Sequence, residues 1–279
     1  MYRYNIFFYS ISFFLFSCTS NPFWEDPKTI DRTLKGTISL VNSNYSHPIL
    51  LWDNYSEEIS ETDSAGNFLL NLSSIYNQTN VGSGELKLYF FALNYDLDSA
   101  SVYLVEGLFS DNQTDFDREG NLIKDISLRK KVDGEIIFNN ELLSEDTLDL
   151  KFVFEIFEPL VIKSYVYIDP NIECASGLFF YNVDNEEVAI YRHSTISDEG
   201  ILVQDQLKYN DYEVNDTHLW NYIVAMDKVN LDTGRYIIKP YFLILDDSPN
   251  NTSDLYSLEF DKNYLNIPSD IKSDTLYIE

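Results

Sequence analysis

Residues 148–157 read Leu-Asp-Leu-Lys-Phe-Val-Phe-Glu-Ile-Phe. Leu148, Leu150, Phe152, Phe154 and Ile156 alternate with Asp149, Lys151, Val153, Glu155 and Phe157. Successive side chains of a strand point to opposite faces, so this period of two predicts a half-buried β-strand with its more polar face outward. Leu86, Leu88, Phe90 and Ala92 repeat the pattern. Most other apolar runs are short, rich in Ile, Val, Tyr and Phe, and bounded by Asn, Asp, Ser or Gly, which is strand composition. Tyr236 to Leu245 reads as a further apolar strand. Pro240 inside it predicts an edge position or a bulge, because proline has no N–H to give to a ladder. Leu219, Ile223, Met226 and Val229 fit a helical spacing with Asp216 as N-cap. The same stretch is rich in β-branched and aromatic residues, so a short helix and a strand stand as equal readings. The chain is expected to be all-β.

The turns point the same way. Asp63-Ser64-Ala65-Gly66-Asn67-Phe68 and Asp117-Arg118-Glu119-Gly120-Asn121-Leu122 share the pattern D-x-x-G-N-apolar. An Asp side chain opens such a turn by accepting nearby backbone N–H groups, and Gly takes the positive φ that a hairpin bulge requires. Asp133-Gly134 and Asp232-Thr233-Gly234 are read as two more hairpin turns. Regular short strands with such turns predict sandwiches or barrels rather than βαβ units.

A chain of 279 residues has room for about two domains. Its 44% apolar and 15% aromatic content excludes a disordered polyanion. The balance of 46 acidic against 19 basic side chains, a net charge of −27, would repel phosphate backbones, so no nucleic acid is expected as a partner. The same charge opposes electrostatic docking on anionic lipid.

Residues 1–17 read MYRYNIFFYSISFFLFS, with one basic side chain, Arg3, ahead of the mostly apolar run Ile6 to Phe16. That run has the shape of a signal-peptide core and is shorter than the roughly 20 apolar residues of a membrane-spanning helix. Leu15-Phe16-Ser17-Cys18 resembles the lipobox of bacterial lipoproteins, although a residue smaller than Phe16 is usual at its position. The resemblance implies a signal peptide over 1–17, cleavage before Cys18, a lipid on Cys18, and residence in the cell envelope at the outer membrane. Acyl chains would supply the anchorage, at about 0.8 kcal/mol per buried methylene, that the acidic surface cannot. Residues 18–32 then form a tether, and Cys174 is left as a buried free thiol. Without the lipid, an oxidising compartment would permit a Cys18–Cys174 disulfide.

Residues 34–72 run LKGTISLVNSNYSHPILLWDNYSEEISETDSAGNFLLNL. This stretch resembles the carboxypeptidase regulatory-like domain, a transthyretin-like β-sandwich, at Gly36, at His47-Pro48-Ile49 and at Thr62-Asp63 with Gly66-Asn67-Phe68. It departs from that pattern at Leu50 and Leu51, where Gly or Ala is usual. The resemblance implies a β-sandwich over 33–143 with an adhesive or scaffolding role and no catalytic residues. Leu231-Asp232-Thr233-Gly234-Arg235-Tyr236 is similar to the last hairpin of Ig-like domains. With Trp220 ahead of it, the segment also resembles proteinase-inhibitor-like Ig domains. A second, Ig-like sandwich is therefore expected over 144–279, with the boundary in the acidic, polar stretch Asn140 to Asp146.

Chemistry is sparse. The histidines are His47, His193 and His218, and G-x-S-x-G, H-E-x-x-H and G-x-x-x-x-G-K-[ST] patterns do not occur. Asp115, Asp117 and Glu119 fall at positions 1, 3 and 5 of a calcium-loop spacing, with Gly120 at 6. Ile126 stands where a bidentate Glu belongs, so an acidic β-turn is the preferred reading. Tyr89-Phe90-Phe91 could offer rings to a sugar, but a strand buried on both faces would use the same run. No catalytic, cofactor-binding or metal-ligating residue is assigned. The expectation is a non-enzymatic, lipid-anchored envelope protein that binds a protein or glycan partner or acts as a scaffold. An Ig-like protease inhibitor or a secreted hydrolase acting on peptide or glycan is the alternative.

Overall fold

The computed structural model describes residues 33–41, 47–53, 59–72, 83–105, 108–110, 115–138, 147–169, 172–196, 200, 202–214, 216–245 and 257–278. These form an all-β protein of stacked sheets in two packed bodies, consistent with β-sandwiches.

In the first body a five-stranded sheet runs in the order Ile59–Glu61, Leu50–Asp53, Gly84–Phe91, Asp98–Val105, Leu108–Phe109. Across a core that includes Leu51, Leu88, Phe90 and Val102 lie an antiparallel pair, Thr33–Thr37 with Asn67–Asn71, and a parallel pair, Ser39–Val41 with Ser127–Arg129. Leu34, Phe68, Leu70 and Leu128 reach into this core from the second layer. Leu86, Leu88, Phe90 and Ala92 face it with the expected alternation.

Both D-x-x-G-N turns form as read. Asp63 Oδ1 accepts the backbone N–H of Ala65 and Asn67 at 2.9 and 2.8 Å, and Asp117 Oδ1 accepts those of Glu119 and Asn121 at the same distances. Gly66 and Gly120 have φ of +80° and +76°. The two turns clasp one strand: Gly66 O accepts from Ile38 N and Gly120 O from Lys35 N, both at 2.9 Å. A Cβ on Gly66 would stand 2.0 Å from Ile38 O, and one on Gly120 2.1 Å from Thr33 O. The glycines therefore serve both the turn conformation and the close approach of two backbones.

In the second body an eight-stranded sheet runs Gln206–Tyr212, Leu160–Ile168, Glu173–Ser176, Thr217–Ala225, Thr147–Ile156, Val132–Phe138, Lys272–Ser273, with Phe242–Ile244 also paired to Leu160–Ile168. A four-stranded sheet, Val188–Tyr191, Leu178–Asn182, Gly234–Pro240, Thr275–Ile278, contributes to the same core. Leu148, Leu150, Phe152, Phe154 and Ile156 are all buried there, as their alternation predicts.

The structure corrects several local readings. Residues 217–225 are a strand, and only Met226–Lys228 make a single 3₁₀ turn, so Asp216 caps no helix. Pro240 marks neither an edge nor a bulge. It ends a central strand of the four-stranded sheet, and the chain crosses there to pair Phe242–Ile244 in the other sheet. Asp133-Gly134 is not a turn but lies within Val132–Phe138, where a Cβ on Gly134 would meet the Phe152 ring at 2.6 Å. Asp232-Thr233-Gly234 likewise leads between sheets rather than closing a hairpin. Val132–Phe138 pairs antiparallel with Thr147–Ile156, so a division at 143/144 falls within the connection between two partnered strands.

The two bodies share buried surface. Leu50–Asp53 is buried at all its residues. Leu51 enters the first core, while Leu50, Trp52, Phe91 and Leu93 join the second. This explains the leucines where the resemblance leads one to expect Gly or Ala. A connecting segment, 257–271, lays Phe260 and Tyr264 against Phe179. Its Pro268 O accepts from Leu93 N at 2.8 Å, and its Asp270 reaches Asn94, Tyr95 and Lys130 of the first body and the strand region that follows it.

Candidate binding surface

Cys18 lies outside the described residues. Cys174, in the strand Glu173–Ser176, is a buried free thiol, and burial pushes its pKa up, away from the reactive thiolate. Each histidine packs against aromatic rings: His47 beside Tyr95 at 5.4 Å, His193 beside Tyr167 at 4.2 Å, His218 between Tyr212 at 4.7 Å and Phe154 at 5.3 Å. Tyr89 stacks on Trp52 at 5.1 Å while Phe90 enters one core and Phe91 the other, the two-sided burial that the run allows. Asp115 Oδ2 accepts from Ser101 N, and both oxygens of Asp117 are taken up within its turn, so these carboxylates are spent on backbone and Asn121.

Ser176, His193 and Asp205 meet in space but not as a hydrolytic triad. Ser176 Oγ donates to Asp205 at 2.5 Å and accepts from the backbone N–H of His193 at 2.7 Å. The His193 ring instead sets Nδ1 3.0 Å from Tyr191 Oη and from Ile223 O. Arg192 closes on Asp205 at 2.5 Å and lays its guanidinium 4.1 Å from the Tyr165 ring centroid. The Asp205 carboxylate raises the Arg192 pKa further above its ordinary value. Burial pushes the Tyr191 hydroxyl up to about 12, so it stays a neutral donor to Ile223 O.

This network fixes one place on the surface. Asp205 joins two elements: the strand Leu202–Gln204, paired with Ser194–Ile196, and the strand Gln206–Tyr212 at the margin of the eight-stranded sheet. Its carboxylate, 1% exposed, pins their junction to Ser176, two strands further into the same eight-stranded sheet, and to Arg192, just past the strand Val188–Tyr191. The pinned elements carry apolar side chains outward: Ile196 and its cross-strand neighbour Leu202, then Leu207 and Tyr209 on one face of the marginal strand. Among the described residues, the backbone ladder of Gln206–Tyr212 runs to Leu160–Ile168 alone, and its Tyr212 Oη accepts from Trp220 Nε1 at 2.8 Å. At seven residues it is the longest outermost strand of the sheets with four or more strands; the others have two to four. Short outer strands, charges and prolines protect sheets from further pairing. This one has no proline, and its Lys208 ammonium faces Glu173 at 3.9 Å.

No protein-family model, curated protein or solved structure matches the chain.

The network was not visible beforehand. Ser176, Arg192 and Asp205 sit in no motif, and their partners are 13 to 29 positions apart. The available signal for the surface was the weak alternation of Leu207 and Tyr209 with Lys208 and Asn210.

Proposed function

We propose that the chain is a lipid-anchored protein of the bacterial cell envelope with a binding rather than a catalytic role. On this reading Cys18 carries the lipid at the outer membrane, and the two sandwiches, transthyretin-like and Ig-like, present a docking surface. The observation that carries the binding role is the long, proline-free margin Gln206–Tyr212 with Leu207 and Tyr209 turned outward. Backbone N–H and C=O groups on such a margin offer hydrogen bonds to an added strand, and alternate side chains supply selectivity. The partner is then an extended segment of another envelope protein with apolar residues at alternate positions. The surplus of acid, a net charge of −27, favours a segment flanked by basic residues, whose capture weakens as salt screens the charges.

The test uses the native chain in cells. A photo-crosslinking residue at position 209 should give one dominant adduct, and Leu207→Lys should abolish it without changing the melting temperature, because Leu207 is exposed. Equal adduct yield with and without Leu207→Lys refutes this surface. Mass spectrometry of the mature N-terminus tests the anchor independently: an acylated Cys18 is expected, and an unmodified Met1 refutes it.

A further inference from the structure

Where the two bodies meet, one carboxylate lies between an amine and a carboxamide. Asp270, near the end of the segment 257–271, sets its Oδ2 2.5 Å from Lys130 Nζ and accepts from Asn94 Nδ2 on its Oδ1. Asn94 follows the strand Gly84–Phe91, and Lys130 lies between Ser127–Arg129 and Val132–Phe138. All three residues are buried, and among the described ion pairs this is the one with both side chains shut away from solvent. The carboxamide is held at both ends: Nδ2 also donates to Val132 O at 2.9 Å, and Oδ1 accepts from Asp270 N at 3.3 Å. Tyr95 Oη donates to the same carboxylate at 2.9 Å, and Lys130 Nζ lies 5.8 Å from the Tyr95 ring centroid. Asp133, partly in solvent, meets the amine at 2.9 Å.

We propose that Lys130 and Asn94 condense into an isopeptide bond with Asp270 as the proton carrier, so that the folded chain staples itself beside the junction. An amine and a carboxamide are inert toward each other in water, and the fold supplies what the condensation needs. Both nitrogens rest on one carboxylate, which makes their encounter intramolecular. Burial works against the charge on each partner, downward on the Lys130 pKa and upward on that of Asp270, while the hydrogen bonds and the opposite charge offset it. In the reaction the Asp270 carboxylate takes a proton from Nζ. The freed lone pair attacks Asn94 Cγ, and the π electrons move to Oδ1, where the Asp270 backbone N–H already donates. The C=O re-forms and expels Nδ2, which receives a second Nζ proton by way of Asp270 and leaves as ammonia. One Cγ–Nζ bond has replaced one Cγ–Nδ2 bond, and the Asp270 carboxyl ends protonated. No oxidant, reductant or metal enters the balance, and the cost of a buried ion pair is gone from the product. The ion pair and its titration belong to the chain before condensation.

The full native chain, incubated folded near neutral pH and then denatured and digested with trypsin, should yield a branched peptide. It should join the segment containing Asn94 to the one containing Lys130, lighter than their sum by one ammonia and uncut after Lys130. Fragment-ion spectra locate the bond. Lys130→Arg, which keeps the cation without the reactive amine, should abolish the branch. Asp270→Asn, which keeps the shape without the proton carrier, should slow its formation by about a hundredfold or more, with circular dichroism reporting that each variant is folded. The wild-type result stands whether or not the variants fold. The proposal is overturned if the incubated wild type gives only linear peptides with Asn94 and Lys130 unmodified. It is equally overturned if the branch has lost water instead of ammonia, which would make Asp270 or Asp133 the acyl partner. A folded Asp270→Asn chain that condenses at the wild-type rate also overturns it.

Discussion

Replacing Asp270 by Ala should loosen the junction between the two bodies more than any other single truncation of a charged side chain there. The Asp270 carboxylate stands 2.5 Å from Lys130 Nζ, with the two side chains 2% and 3% exposed. It also accepts from Tyr95 Oη at 2.9 Å and from Asn94 Nδ2, and its own backbone N–H donates to Asn94 Oδ1. Burial alone would raise its pKa, but Lys130 and the two donors outweigh that and hold it below the ordinary carboxylate value. Removing it leaves Lys130 to Asp133, whose carboxylate is partly in solvent, and strips Tyr95 Oη of this acceptor. Breaking a buried pair from one side costs about 3–5 kcal/mol. That is a large share of the about 5–15 kcal/mol that stabilises a typical protein. At about 2–4 °C per kcal/mol for chains of this size, Tm should fall by about 6–20 °C. Thermal and urea unfolding followed by circular dichroism would measure it. Adding Lys130→Met to Asp270→Leu should recover most of the loss, since no charge is then left buried, and the double-mutant cycle reads the coupling. The pH dependence has a definite sign. A carboxyl whose folded pKa is depressed contributes its full stabilisation above its unfolded value, about 4, and loses it as pH falls through the folded value. Wild type and Asp270→Asn should therefore converge in strong acid. A loss below about 1 kcal/mol for Asp270→Ala, the range of an exposed pair, would refute the buried junction.

Gly66→Val and Gly120→Val should each cost roughly 1–3 kcal/mol from positive φ alone, with more from the approach to Ile38 O and Thr33 O, and unchanged unfolding curves would contradict the two clasps. Cys174 should react with an aromatic disulfide reagent only as the chain unfolds, and prompt labelling of the native protein would place the thiol elsewhere. Tyr191→Phe removes the acceptor of Ala225 N and the donor to Ile223 O, so a loss of about 1–3 kcal/mol is expected, and a neutral result would dissolve the network under the marginal strand.

Local signals were legible where one short stretch settles its own geometry. Leu148 to Ile156 alternates because one face of that strand meets the core, and the Asp63 and Asp117 turns are closed by atoms within four residues. Readings failed where the decisive neighbour is distant. Asp133-Gly134 has turn composition, but Phe152 across the ladder is what needs the glycine. Leu219, Ile223 and Met226 keep a helical spacing by chance, while pairing with Thr147–Ile156 decides for the strand. Pro240 could be read as a break in pairing but not as the point where the chain changes sheets. Asp270, one of many acids, meets Asn94 across 176 positions, and no pattern in its own neighbourhood announces that meeting.

The clasp on the first described strand also has a mechanical meaning. Thr33–Thr37 is held on one margin by Asn67–Asn71, through five register pairs. On the other, Lys35 exchanges bonds with Gly120 O and Leu122 N, while the bond from Ile38 N to Gly66 O extends the Asn67–Asn71 side by one more step. A tension drawn along the chain from the N-terminal side would load these bonds in shear, all together, rather than peel them one at a time. Because the two glycine turns grip from separate loops, slack in either leaves the other engaged. The same strand that opens the sandwich is thereby a fixed point from which the rest of the molecule can be pulled without unravelling.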